Sequence, residues 1–150
     1  MLLKEICTPD VIVAKPEMSV LHAARMMREA HVGDLLVVDD DKEGDQTPLG
    51  IVTDRDIVLE VLGRELDPRT VTVREIMRAP VVIADESEES SMALERMKLH
   101  GVRRIPVMGH GGQLRGIVCL DDLLKQLASD AATIADIITR EQHQEHRRRR

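Results

Sequence analysis

The chain has 150 residues, 43% of them apolar and 32% charged, with a formal net charge of −6. That length suits one domain, or two small ones sharing a core, and the balance is that of a soluble globular protein. Four positive charges stand in Arg147–Arg150, so the remainder carries −10, which argues against broad nucleic-acid binding by the body of the protein.

Phe, Tyr and Trp are absent, so the core must come from Val, Ile, Leu, Ala and eight Met. A bound planar ring then has only aliphatic side chains and backbone to lie against. Two cysteines, Cys7 and Cys119, suit a reduced protein better than a disulfide framework. The start, MLLKEICTPD, lacks the layout of a signal peptide. No apolar run approaches the roughly 20 residues of a membrane span. The expected location is the cytoplasm, with no membrane contact.

In chain order, Val11–Val13 reads as a short strand. Ser19 is a candidate N-cap for a helix over Val20–Ala30, whose Val20, Ala23, Ala24, Met27 and Ala30 share one face, and Gly33 is the expected stop. Leu35–Val38 is a continuous apolar run, expected to be a strand buried on both faces. An acidic loop, Asp39–Pro48, precedes a strand over Leu49–Thr53 and a helix over Asp54–Leu62. Gly63–Pro68 closes this part, and Thr72 to Glu75 has the spacing of a capping box. The same order then recurs: strand Val81–Ile83, helix from about Glu88 to His100, strands Arg104–Met108 and Leu114–Cys119, and a helix over Asp121–Ser129.

The recurrence is a repeat. An offset of 70 carries Val11-Ile12-Val13 onto Val81-Val82-Ile83, Ala23 and Met27 onto Ala93 and Met97, and Val32 onto Val102. An offset of 66 then carries Gly50-Ile51-Val52 and Asp56 onto Gly116-Ile117-Val118 and Asp122. The difference falls in the loop Asp39–Pro48, longer than its counterpart near Gly109–Gln113, and loops are where insertions are tolerated. Each copy is strand–helix–strand–strand–helix on the order of 60 residues, too small to bury much surface alone. The expectation is an α+β fold of two βαββα repeats packed about a pseudo-twofold axis. Its parts are residues 1–68, residues 69–129, and a C-terminal helix and Arg-rich tail over 130–150.

The twofold G-I-V-x-x-x-D, the VRRIPV segment Val102–Val107, and the starts I-C-T-P at Ile6–Pro9 and I-M-R-A-P at Ile76–Pro80 resemble the tandem CBS-domain family, the regulatory pair called a Bateman module. The resemblance spans roughly Lys4 to Ser129. It implies that adenine nucleotides or related ligands bind in clefts between the copies.

The residues carry suitable chemistry. A strand running straight into a helix leaves the first N–H groups unpaired, and with the helix dipole they favour a phosphate. Thr53 stands at that N-cap and its hydroxyl can donate to a ligand oxygen, while Asp56 is acceptor-only when ionised and suits the two hydroxyls of a ribose. Arg55 can add a charge-assisted bond to phosphate. Thr-x-x-Asp is equally a plain helix-capping arrangement, so both readings stand at this point. In the second copy Cys119, Leu120 and Asp121 replace Thr53, Asp54 and Arg55, and Asp122 remains. A thiol is a weaker partner than a hydroxyl and Asp121 repels phosphate, so this cleft is expected to be empty or to take a nucleoside-like ligand. The resemblance directs Arg103 and Arg104 to the central cleft, as an anion site, and makes the backbone near Ile12 and Val82 the contact for an adenine edge.

No catalytic constellation is visible: His22, His31, His100 and His110 lack ligand spacing, His143 and His146 can meet on a helix face but lie beside four Arg, the cysteines lack a nearby basic partner, and no Walker loop, GxSxG or HExxH occurs. The apolar face of Ala131, Ile134, Ala135 and Ile138 reads as one more short helix over Asp130–Thr139, docked on the pair or on a second subunit. Gln142–Arg150 reads as a frayed tail.

The sequence therefore points to a non-catalytic sensor that needs no cofactor. It binds an adenosine-containing ligand (AMP or ATP, with NAD or S-adenosylmethionine as alternatives) and signals to a target protein or through a homodimer. Two rival readings are a ligand-free interaction module and a nucleic-acid-binding regulator working through Arg147–Arg150.

Overall fold

A computed structural model describes residues 1–40 and 45–150. The elements are α1 (Leu3–Ile6), β1 (Val13–Ala14), α2 (Val20–Ala30), β2 (Asp34–Asp40), β3 (Gln46–Thr53), α3 (Asp54–Ile57), α4 (Val73–Ile76), β4 (Ala84–Asp85), α5 (Ser90–His100), β5 (Arg104–Met108), β6 (Leu114–Cys119) and α6 (Leu120–Arg148). They form two three-stranded sheets, ordered β1-β2-β3 and β4-β5-β6. In each sheet the short first strand is parallel to the second and the hairpin is antiparallel, with Val13 beside Leu36 and Leu35 beside Val52 in the first copy. Ala84 beside Val107 and Ile105 beside Val118 repeat this in the second.

Leu35–Val38 is buried throughout, as a continuous apolar run demands. The ladders at Val13–Ala14 and Ala84–Asp85 begin later than the expected strands at Val11 and Val81. Val11, Ile12, Val81 and Val82 stand before the ladders, with the Ile12 carbonyl accepting Leu36 N–H at 3.2 Å, and are available to line a cleft. Of the loop Asp39–Pro48, much is strand, since β2 runs to Asp40 and β3 starts at Gln46; residues 41–44 lie outside the described residues.

Several helix ends differ from expectation. Ser19 does cap α2, accepting His22 N–H at 3.2 Å. The helix ends at His31 rather than Gly33, in the left-handed region at φ 55°, where α5 has Gly101 at φ 64°. Thr72 precedes α4 without a side-chain cap. The expected helix over Asp54–Leu62 is one turn of α-helix followed by a π-turn at Val58–Leu62.

The leading turn of each copy packs into the other copy. Leu3 belongs to the core of Ala84, Ala93, Ile105 and Val118, while Val73 belongs to that of Ala14, Ala23, Leu35 and Val52. The hydrogen bonds of the exchange are reciprocal. Leu3 N–H reaches Glu88 carbonyl at 2.9 Å and Val73 N–H reaches Met18 carbonyl at 2.9 Å. Thr8 bridges to Ile117, and Arg78 to Ile51. Each such pair maps onto the other when the copies are interchanged, which is the signature of a pseudo-twofold axis. Asp34 and Arg104 occupy equivalent positions in the two copies and pair with each other, so their ion pair sits on that axis.

The bridges explain the glycine of G-I-V. A Cβ on Gly50 would lie 2.5 Å from the Arg78 carbonyl oxygen, and one on Gly116 would lie closer still to that of Thr8. Only a residue without a side chain lets the exchanged segment approach this near.

From Leu120 to Arg148 the chain is one helix, not two short ones with a frayed tail. Ser129-Asp130 is polar but not a breaker, because no Gly or Pro follows Gly116. The Ser129 carbonyl instead accepts Thr133 Oγ1–H, and Asp130 accepts from Gln126.

Candidate functional site

Two cavities flank the Asp34–Arg104 pair, one on each side of the axis. The first, about 250 Å³, is lined by Ile51 and Thr53 of one copy and Arg78, Val81, Val82, Arg103 and Arg104 of the other, with Asp34. The second, about 320 Å³, exchanges the roles: Thr8, Val11, Ile12 and Asp34 face Arg104, Ile117, Cys119 and Asp122. Both are built by the crossover of the leading segments.

The anticipated residues are thus divided between the two cavities. Thr53, Val82, Arg103 and Arg104 meet in the first, while Ile12 and Asp122 line the second, with Arg104 shared. Arg55 lines neither; it is exposed on α3, its own N–H taken by the Asp54 carboxylate at 2.8 Å. Asp56 lies just behind the first cavity, 5% exposed. Its Oδ2 accepts Thr53 N–H at 2.9 Å, and Thr53 Oγ1 accepts Asp56 N–H at 3.1 Å, a reciprocal cap that leaves the threonine hydroxyl proton free to be given elsewhere.

Arg78 is the functional candidate that sequence reasoning passed over. Its Nε donates to Asp56 Oδ1 at 3.1 Å while 71% of its side chain is exposed. The ion pair links the two copies across the cavity wall. The available signal was positional: Thr8 and Arg78 each stand two residues after the isoleucine of the starts I-C-T-P and I-M-R-A-P, and both line cavities. Asp34 is a second such residue, at the first-copy position equivalent to Arg104 and ion-paired with it. Burial pushes the Asp34 carboxyl above its usual range, Arg104 opposes this, and Asp54 adds to it.

The cavities differ in charge. The first has three guanidiniums, from Arg78, Arg103 and Arg104, against the carboxylate of Asp34. Among the described residues, the second has Asp10, Asp34 and Asp122 against the guanidinium of Arg104. The Arg103 guanidinium is 70% exposed and only 3.4 Å from Asp121, so solvent screens that pair and a ligand can compete for it.

Cys119 stands at the N-cap position of α6 and gives its S–H to Asp122 Oδ2 at 2.8 Å. Burial, and then this bond, raise the thiol above its ordinary value. Since the thiolate is the reactive form, Cys119 is expected to alkylate more slowly than a free cysteine at neutral pH. Asp122→Asn removes the carboxylate that disfavours the thiolate, so the iodoacetamide rate at Cys119, read by mass spectrometry, should rise and its pH profile should move down.

Among the described residues no three His, Cys, Asp or Glu converge as a metal site, and no helix is long and apolar enough to cross a membrane.

Comparison with known proteins places the architecture. The CBS domain description matches residues 3–63 and 73–129. The chain belongs to the CBS-domain family and carries the repeat twice. It is 34% identical to an uncharacterized protein, MK0525, of Methanopyrus kandleri over 88% of this chain and 65% of that one. It therefore spans somewhat under two thirds of that relative. Hypoxic response protein 1 of Mycobacterium tuberculosis is 37% identical over 73% of each chain. The CBS domain pair of MJ0100, solved with 5′-methylthioadenosine and S-adenosyl-L-methionine, matches 87% of this chain and 98% of its own with a TM-score of 0.71 at 25% identity.

Proposed function

We propose that the protein is a non-catalytic sensor that binds an adenosine phosphate, AMP or ATP-like, in the first cavity. We place it in the cytoplasm as a homodimer that passes the bound state to a target protein. The observation that carries this reading is the cluster of Arg78, Arg103 and Arg104 beside the Thr53 cap, with Asp56 behind it. Guanidiniums suit phosphate, the threonine hydroxyl suits a phosphate or ribose oxygen, and Asp56 suits the ribose diol. The backbone at Val81–Val82, just before β4, can meet an adenine edge, with aliphatic side chains against the ring. The adenosine ligands of the MJ0100 pair support the ligand class.

In this reading the ribose takes Asp56 from Arg78, and the freed guanidinium turns to the phosphate. One inter-repeat ion pair is thereby exchanged for two ligand-mediated links, so ligand favours one mutual setting of the copies. The second cavity, short of positive charge, takes a neutral or cationic adenosine compound or stays empty.

Calorimetric titration with AMP, ATP, adenosine and S-adenosylmethionine tests the proposal. AMP and ATP should bind most tightly. Arg78→Ala should weaken AMP by about tenfold, the order of one charge-assisted bond, while changing adenosine little.

A rival reading has its own support. Asp56, Arg103 and Arg104 each have a protein partner already, as in a module that binds no ligand. No heat and no thermal shift with any of the four compounds at millimolar concentration would establish that alternative.

A further inference from the structure

Helix α6 leaves the body early. Leu123 is buried in the second core, but from Leu127 to Arg150 every residue is exposed. At 1.5 Å per residue this is a projection of about 36 Å. Along it Leu124, Leu127, Ala131, Ile134 and Ile138 recur at alternating intervals of three and four. The four large side chains of that row are 51–65% exposed. A stripe with a period of 3.5 is the seam of a supercoiled helix pair, not the wider face of a helix lying on a globular core.

The charges along α6 say what the partner is. Residues 120–138 hold Asp121, Asp122, Asp130 and Asp136 against Lys125, a net −3. Residues 139–150 hold Arg140 and Arg147–Arg150 against Glu141 and Glu145, a net +3. The helix is complementary to itself run backwards. A parallel pair sets like charge on like, whereas an antiparallel pair matches them and also opposes the helix dipoles.

We infer that α6 pairs antiparallel with α6 of a second copy, row on row about the small side chain of Ala131. Leu124 of one copy then lies near Ile138 of the other, Arg140 of each lies near Asp122 of its mate, and Arg147–Arg150 run past the start of the mate's helix. Arg147–Arg150 are in this arrangement a clasp on the second copy's acidic body. The inference specifies the surface behind the homodimer proposed above and is independent of the ligand.

Sedimentation equilibrium of the full chain should show a dimer. Ile134→Asp with Ile138→Asp should raise its dissociation constant by about a hundredfold or more, from the loss of two buried apolar side chains on each helix. Ser129→Asp, on the opposite face, should leave it unchanged. Deleting Arg147–Arg150 should weaken the dimer and flatten its dependence on salt. Orientation is read by oxidative cross-linking in a Cys7→Ser, Cys119→Ser background. Leu124→Cys and Ile138→Cys should link when mixed and not when alone. A dimer that tolerates the two aspartates has another interface and overturns the inference while sparing the homodimer. Self-linking of either cysteine variant means a parallel pair and overturns it too. A monomeric wild-type chain removes both.

Discussion

Gly50→Ala and Gly116→Ala are each expected to lower the melting temperature by about 5–10 °C, from a loss of roughly 2–3 kcal/mol. The cause is steric rather than conformational. At Gly50 the new methyl group meets the Arg78 carbonyl oxygen at 2.5 Å and the Met77 sulfur at 3.1 Å. At Gly116 it meets the Thr8 carbonyl oxygen and, at 3.1 Å, the Cys7 sulfur. Sulfur on a flexible side chain can retreat, but a backbone carbonyl held by its own bridge cannot. Arg78 N–H donates to the Ile51 carbonyl at 2.9 Å and the Arg78 carbonyl accepts Ile51 N–H at 3.1 Å; Thr8 does the same with Ile117 at 2.8 and 3.0 Å. The exchanged segment must therefore lift off the sheet as a unit. Differential scanning calorimetry reads the common loss. Ligand titration separates the two variants: lifting Arg78 opens the first cavity, lifting Thr8 the second, so Gly50→Ala should weaken AMP binding well beyond what Gly116→Ala does. Equal melting temperatures for Gly50→Ala and wild type would contradict the close approach.

Much of this architecture was legible because the chain says it twice. The offset of 70 residues exposed the repeat, and the apolar run Leu35–Val38 gave away a buried strand. The strand-to-helix turns at Thr53 and Cys119 were visible from apolar residues running directly into a capping pattern, and both reciprocal caps are present. What could not be read was which copy each leading segment joins. Leu3 and Val73 are apolar residues in short helices, and nothing local records that each completes the other copy's core. The cavities inherit that ambiguity. Ile12 and Val82 were assigned alike, yet Val82 joins Thr53 and Ile12 joins Asp122. Arg78 escaped notice for the same reason, since its partner Asp56 is 22 residues away and reached only through the exchange. The unbroken α6 differs from the two helices expected over Asp121–Ser129 and Asp130–Thr139, because without Gly or Pro between them the helix has no reason to end.

Asp56→Asn is expected to weaken AMP binding by about ten- to a hundredfold, and Asp122→Asn to leave it within about twofold. The substitution is chosen for what it keeps. An asparagine Oδ1 can still accept Thr53 N–H, so the cap of α3 survives, whereas alanine would leave that donor without its side-chain acceptor and cost about 1–3 kcal/mol of stability. The amide offers one acceptor where the carboxylate offers two, so a ribose diol loses a charge-assisted bond. Arg78 is released at the same time. On electrostatic grounds alone this favours phosphate, because the guanidinium no longer shares its charge with Asp56. The two consequences have opposite signs, and they can be told apart. A fall in AMP affinity, with adenosine falling in parallel, identifies the ribose contact as the larger. A rise in AMP affinity with adenosine unchanged would mean that Asp56 serves only to cap α3 and to restrain Arg78, and the ribose would have to be placed elsewhere. Asp122 makes the same cap for α6, accepting Cys119 N–H at 3.2 Å, but in the cavity with three carboxylates and one guanidinium. If AMP enters the first cavity because of its three arginines, neutralising Asp122 changes a site the nucleotide does not occupy. Equal losses in the two variants would instead mean that charge does not choose between the cavities.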